Sequence, residues 1–167
     1  MDLYILRHAI AEQRDALKYP DDSRRPLTEK GIKRMRRVAE GLLAAGLSFD
    51  VIYTSPYTRA RQTAEIVAET FGLQKALRET RTLAVDGDPE ELIDLLSKEE
   101  KHDAAVLLVG HEPYLSEFIS HLLVGDASLD ITMKKGGICK LTVGVLKYGK
   151  CATLDWLIPP SLSTHLA

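Results

Sequence analysis

Cysteine is scarce in this 167-residue sequence, which contains only Cys139 and Cys151 and no Cys-x-x-Cys or His-Glu-x-x-His spacing typical of a metal site. No run of 18 apolar residues is present, and the first residues lack the basic-then-apolar pattern of a secretory signal. We therefore expect a cytoplasmic protein with no membrane span and no metal. A predicted hairpin turn at Tyr148-Gly149 would place Cys151 opposite Leu146, so we expect two free thiols that fill the core.

The sequence also lacks a large excess of either sign of charge, because its formal net charge is -2. This balance gives no general attraction to nucleic acid or to anionic lipid, and we expect neither as a partner. Apolar residues at 45% and charged residues at 28% are ordinary for a globular protein, and the length predicts a single domain over residues 1–167. One local exception is the basic stretch Lys30–Arg37, which is either a solvated helix face or a docking surface for an acidic partner.

Two apolar runs end on a histidine. Leu3–Leu6 reads as a short strand buried on both faces and is followed at once by Arg7 and His8. A second buried strand, Ala104–Val109, runs through a glycine into His111. Ligands of open α/β sheets bind at the carboxyl ends of the strands, so both histidines are candidate site residues.

A third strand, Asp50–Thr54, is followed by a helix that carries Arg59 in its first turn. Cations are disfavoured at the positive end of a helix dipole, so this position suggests a nearby anion. An earlier helix is predicted over residues 29–45 with Thr28 as its N-cap. It follows a long loop over residues 11–27, from which either Arg24 or Arg25 could swing toward the sheet edge.

The alternation of strands and helices predicts an α/β fold, a three-layer α/β/α sandwich around a mostly parallel sheet. A short strand is expected within residues 77–83, and Asp88 is expected to cap a following helix. The last third predicts an antiparallel hairpin, with strands over Ile138–Leu146 and Ala152–Ile158.

Arg7, His8, Arg59 and His111 are thus expected at one edge of one sheet, and Arg25 is positioned to join them. Two arginines repel a metal ion, whereas guanidinium groups match phosphoryl oxygens in bidentate geometry. A neutral imidazole beside a bound phosphoryl group can attack phosphorus and form a covalent phosphohistidine. A second, cationic histidine can offset the charge that spreads over the equatorial oxygens.

Three motifs resemble the histidine phosphatase superfamily, which has the phosphoglycerate-mutase-like fold. They are Leu6-Arg7-His8-Ala9, Ser55-Pro56-x-x-Arg59-Ala60-x-Gln62-Thr63-Ala64 and Val109-Gly110-His111-Glu112-Pro113. The short length and the segment Arg25-Pro26-Leu27-Thr28-x-x-Gly31 are similar to its SixA-type phosphohistidine phosphatase branch. The resemblance implies that no cofactor is needed and that His8 is the nucleophile. It further implies a phosphate pocket of Arg7, Arg59 and His111, with added hydrogen bonds from Arg25 and Ser55.

Two departures from the family pattern bear on activity. Ala9 replaces the usual glycine, which is tolerable where φ is negative. The larger members place an acidic proton donor near the position of Thr82, where only Asp86 and Asp88 are close in sequence, and Asp88 is expected to be a helix cap.

An imidazole can leave without a strong acid, whereas an alkoxide cannot, so the weak acid signal favours phosphohistidine in a protein, such as a phosphotransfer domain, as substrate. A small-molecule phosphomonoesterase and a non-catalytic phosphoprotein-binding module are the alternatives.

Overall fold

The computed structural model describes residues 1–166. Its strands and helices follow the predicted alternation, and three short 3₁₀ turns at Asp22–Arg24, Gln74–Ala76 and Arg81–Leu83 lie between them. In chain order the elements are β1 (Asp2–Arg7), α1 (Glu29–Ala44), β2 (Val51–Thr54), α2 (Thr58–Phe71), β3 (Leu77–Glu79), α3 (Pro89–Glu99), β4 (Ala105–Gly110), α4 (Tyr114–Val124), β5 (Ile138–Val143), β6 (Ala152–Ile158) and α5 (Pro160–Ser163).

The six strands form one sheet in the order β3-β2-β4-β1-β5-β6. The first four strands in this order run parallel to one another, whereas β5 pairs antiparallel with both β1 and β6. The predicted mixed sheet with an antiparallel C-terminal hairpin is therefore confirmed.

Strand β1 divides its side chains between two apolar cores, as the period of two in a strand requires. Leu3 and Ile5 belong to the core beneath α3 and α4, whereas Tyr4 and Leu6 belong to the core beneath α1 and α2. Helices thus cover both faces of the sheet, which gives the predicted three layers.

Local sequence signals set the helix ends. The Thr28 hydroxyl accepts a hydrogen bond from Gly31 N at 3.0 Å and begins α1. Asp88 accepts from the backbone N–H groups of Glu90 and Glu91 and begins α3, so both predicted N-caps are confirmed. None of the helices in this part of the chain is long and apolar enough to cross a membrane.

The C-terminal hairpin differs from its predicted register. The predicted strand up to Leu146 ends at Val143, which pairs with Ala152, so residues 144–151 form a longer connection than a two-residue turn. Cys151 lies in that connection and donates to Lys147 O at 3.3 Å, so the expected pairing of Cys151 with Leu146 is wrong. Both thiols are nevertheless free, and Cys139 is fully buried while Cys151 is partly exposed.

The strand predicted within residues 77–83 covers only Leu77–Glu79. Its last three residues, Arg81–Leu83, form a 3₁₀ turn instead, because the Thr80 hydroxyl accepts from Thr82 N and caps that turn.

Candidate active site

The ends of β1 and β4 bring the two histidines together. The strands are parallel neighbours, with Arg7 paired to Gly110, and His8 N donates to Gly110 O at 3.0 Å. The His8 and His111 rings therefore lie with centroids 5.1 Å apart. Both side chains are buried, with exposed fractions of 6% and 1%.

The His8 ring is held in one tautomer. Its Nδ1 lies 2.8 Å from Ala9 O, and since a carbonyl only accepts, Nδ1 carries the proton and Nε2 keeps its lone pair. Burial lowers the pKa of His8 to about 3, and the charges of Arg59 and Arg7 act in the same direction against the opposing effect of the Ala9 hydrogen bond. His8 is thus a neutral imidazole with a free nitrogen at physiological pH.

His111 is held by Ser55, whose Oγ lies 2.8 Å from His111 Nε2. Burial, together with the neighbouring His8 and Arg59, lowers the pKa of His111 to about 3. The site as it stands therefore holds a neutral His111, whereas the sequence suggested a cationic one. Ser55 itself is fully buried, and its Oγ also accepts from Tyr57 N at 3.3 Å.

Arg59 and Arg25 meet on the same carboxylate. Arg59 lies in the first turn of α2 with an exposed fraction of 3%, and it donates from NH1 to Asp22 O at 2.8 Å. Its NH2 is 3.1 Å from Asp22 Oδ2, and Arg25 Nε donates to Asp22 Oδ1 at 2.9 Å. The anion that a first-turn arginine suggested is thus supplied by the chain itself.

The charge of Asp22 is stabilised by this arrangement. Burial alone would raise the pKa of Asp22, but the Arg25 hydrogen bond and the Arg59 charge outweigh it and lower the pKa to about 2. Sequence reasoning assigned no role to Asp22, because it lies in a loop without periodicity and its partner Arg59 is distant in the chain.

Three polar atoms of the predicted site residues are buried without a hydrogen-bond partner among residues 1–166: Arg7 Nε, Arg59 Nε and His111 Nδ1. Arg7 donates from NH1 to Met133 O at 2.7 Å, which fixes its guanidinium. Buried donors of this kind are normally satisfied, and an oxyanion has the acceptors to satisfy them. In the same part of the chain no three His, Cys, Asp or Glu side chains cluster as metal ligands would.

The motif around Arg59 also supports the loops of the site. The Thr63 hydroxyl donates to Arg59 O at 2.7 Å and accepts from Ala9 N at 3.0 Å. Gln62 Oε1 accepts from Leu27 N at 2.8 Å. Every residue with positive φ in the described chain is a glycine, so Ala9 replaces the usual glycine without strain.

The residues considered as proton donors are engaged elsewhere. Asp88 caps α3, the Thr82 hydroxyl is bonded to the Thr80 hydroxyl at 2.9 Å, and Asp86 is exposed and lies 3.7 Å from Arg81. A carboxyl that the sequence reasoning did not consider is Glu112, which directly follows His111.

Glu112 has one oxygen, Oε1, buried without a partner among the described residues, while Oε2 accepts from the Ser116 hydroxyl at 2.6 Å. Burial raises the pKa of Glu112, although the Ser116 hydrogen bond and the Arg7 charge oppose this.

Residues 3–94 match the family model of the histidine phosphatase superfamily, branch 1. The phosphohistidine phosphatase SixA of Escherichia coli is 30% identical over 163 residues, covering 96% of this chain and 94% of that protein. An uncharacterized protein of a Picosynechococcus strain is 39% identical over 148 residues, covering 88% of both chains. A solved structure of the protein histidine phosphatase SixA complexed with tungstate has a TM-score of 0.81 and 26% identity, covering 97% of this chain and 99% of that one.

The chain therefore belongs to the histidine phosphatase superfamily, and it has the phosphoglycerate-mutase-like fold of the SixA structures. Its similarity to SixA supports a phosphatase within that superfamily.

Proposed function

We propose that this protein hydrolyses phosphohistidine in proteins through a covalent intermediate on His8. The observation that carries the proposal is the hydrogen bond from His8 Nδ1 to Ala9 O, which leaves Nε2 as a neutral nucleophile beside His111. The similar SixA structure is a complex with tungstate, a tetrahedral oxyanion like phosphate.

In the first step His8 Nε2 attacks phosphorus, and the bond from phosphorus to the substrate nitrogen breaks. The substrate imidazole leaves as a neutral molecule because its other ring nitrogen already carries a proton. The charge that develops on His8 is shared with Ala9 O through the Nδ1 proton. Water then attacks phosphorus, the bond to Nε2 breaks, and inorganic phosphate is released with His8 restored.

The remaining groups act on the transferring phosphoryl group. Arg7 and Arg59 have buried Nε donors for its oxygens, and His111 Nδ1 is a third unpartnered atom in the same site. The negative charge of a bound phosphoryl group favours protonation of His111, so ligand binding would restore the cationic form that the sequence suggested. Arg25 approaches the same region through the carboxylate that it shares with Arg59.

Rapid-quench labelling tests this function. A phosphotransfer domain carrying ³²P-phosphohistidine should transfer acid-labile label to the wild-type protein, whereas His8→Ala should acquire none and lose turnover by at least about a thousandfold. His102→Ala is the matched control because His102 is exposed and precedes β4, whereas His111 follows the other end of that strand. The proposal would be contradicted if the wild-type protein acquired no label and the substrate kept its phosphate. If His8→Ala then bound the phosphorylated domain as tightly as wild type, a binding module would be supported instead.

Hydrolysis of small phosphate esters is the second candidate, and Glu112 is the observation that favours it. An ester needs a proton on its leaving oxygen, and a half-buried carboxyl with a raised pKa is suited to supply one. Rates on phosphohistidine and on phosphoserine, whose alkoxide leaving group needs a proton, separate the two when wild type and Glu112→Gln are measured side by side. A preference of wild type for the ester that is lost in the variant would support the second candidate.

A further inference from the structure

Two open basic grooves adjoin at Arg34, and one of them reaches Arg7 of the candidate active site. Arg7 lines an open groove of about 560 Å³ together with Arg34, Lys134 and Lys135. A second groove of about 480 Å³ runs along α1 and shares Arg34 with the first. We call the two together the basic groove, and its cations are Arg7, Lys30, Lys33, Arg34, Arg37, Lys134 and Lys135.

The cations of the basic groove lack carboxylate partners within residues 1–166, and Glu29 is the sole acidic side chain among the residues that line it. Basic residues elsewhere are often paired, as Arg78 is with Glu99 and Glu100. The positive charge of the groove is therefore local and uncompensated in a chain whose net charge is -2.

The positive charge of the basic groove extends to the arginines of the candidate active site. Burial lowers the pKa of Lys135, and the nearby charges of Arg7, Arg25 and Arg59 lower it further. Like charges at this end of the groove repel one another in the protein without a ligand. An anionic ligand would relieve that repulsion.

We propose that the basic groove docks an acidic surface of the protein that carries the phosphohistidine, an inference that rests on the proposed function. A single phosphoryl group contacts only the end of the groove at Arg7. The cations on α1 extend from Lys30 to Arg37 over two helical turns, about 10 Å along the helix, which is more than one phosphoryl group can contact. A partner seated along α1 would thus present its histidine to His8.

Charge reversal tests the proposal. Arg34→Glu and Lys33→Glu each change a groove cation, and Arg36→Glu is the matched control because Arg36 is exposed on the same helix but lines neither part of the groove. The probes are an acidic phosphotransfer domain phosphorylated on histidine and the free amino acid N-phosphohistidine. We expect each groove variant to lower kcat/KM for the domain about tenfold through KM, with free phosphohistidine unaffected.

Added salt should lower wild-type kcat/KM for the domain and have less effect in Arg34→Glu. Wild-type behaviour of both groove variants on the domain would overturn the docking proposal while leaving the proposed function intact. An equal loss on free phosphohistidine would also overturn it, because the substitutions would then act on the site itself. Failure of wild type on both probes would instead overturn the proposed function.

Discussion

Asp22 is the residue on which the two arginines of the candidate phosphate site meet. Its carboxylate bonds Arg25 and contacts Arg59, and its backbone oxygen accepts from Arg59 as well. The sequence predicted Arg59 as a site residue because a cation in the first turn of a helix needs a local anion. It did not predict the anion, because that contact joins a loop to a helix 37 residues away.

The Asp22 carboxylate should oppose the binding of an oxyanion, since both compete for the same guanidinium groups and repel each other. We expect Asp22→Asn to tighten the inhibition constant of vanadate or inorganic phosphate about tenfold, which corresponds to about 1.4 kcal/mol. Asp21→Asn is the matched control, because the Asp21 carboxylate accepts from Ser23 N and is exposed. Weaker vanadate inhibition of Asp22→Asn would show instead that Asp22 positions the arginines for the ligand.

Helix α1 packs directly on the segment that follows the proposed nucleophile. Thr28 N donates to Ile10 O at 3.0 Å, and a Cβ on Gly31 would lie 2.0 Å from the same oxygen. The helix itself was predictable from its N-cap and apolar spacing. The close approach of this helix to Ile10 was not predictable. It depends on how far the loop over residues 11–27 folds back, and that loop has no periodic pattern.

We expect Gly31→Ala to lower the free energy of unfolding by about 2 kcal/mol, because the clash with Ile10 O outweighs the better helix propensity of alanine. Urea unfolding measures this, and kcat of the folded protein should fall because residues 8–10 shift with the helix. Gly41→Ala is a matched control, since its Cβ would meet Ser163 O at 1.9 Å on α5. It should lose comparable stability and keep kcat, and a similar loss of kcat in both variants would contradict a specific link to the site.

In the whole molecule, residues distant in the chain come together because the carboxyl ends of parallel strands lie at the same edge of the sheet. This rule let the sequence predict that His8 and His111 converge, and the distance between their rings agrees. The strand order was not predictable, because each strand is apolar enough to pair with several neighbours. Adjacent placement of β1 and β4 is what brings the two rings into contact rather than merely to the same edge.

The two buried neutral histidines should make the folded state sensitive to acid. Their pKa values of about 3 lie below the ordinary value of 6.5, so the unfolded chain binds more protons as the pH falls. The free energy of unfolding should be highest above about pH 6.5 and should fall as the pH is lowered from there toward 3. The urea midpoint, measured at pH 7.5 and at pH 5.0, would show this decrease. His111→Gln should reduce this slope, and His102→Gln, at an exposed position, should keep it. A midpoint unchanged between the two pH values would contradict the burial of both rings.

The position of β1 in the sheet has a consequence for biosynthesis. Strand β1, which ends at Arg7 directly before His8, is translated well before both of its neighbours in the sheet, β4 and β5, which begin only after residue 104. The apolar strand therefore stays unpaired while the residues up to 104 are synthesised, and an exposed unpaired strand is prone to aggregate during that time. The candidate active site can therefore assemble only once β4 and β5 have paired with the two sides of β1.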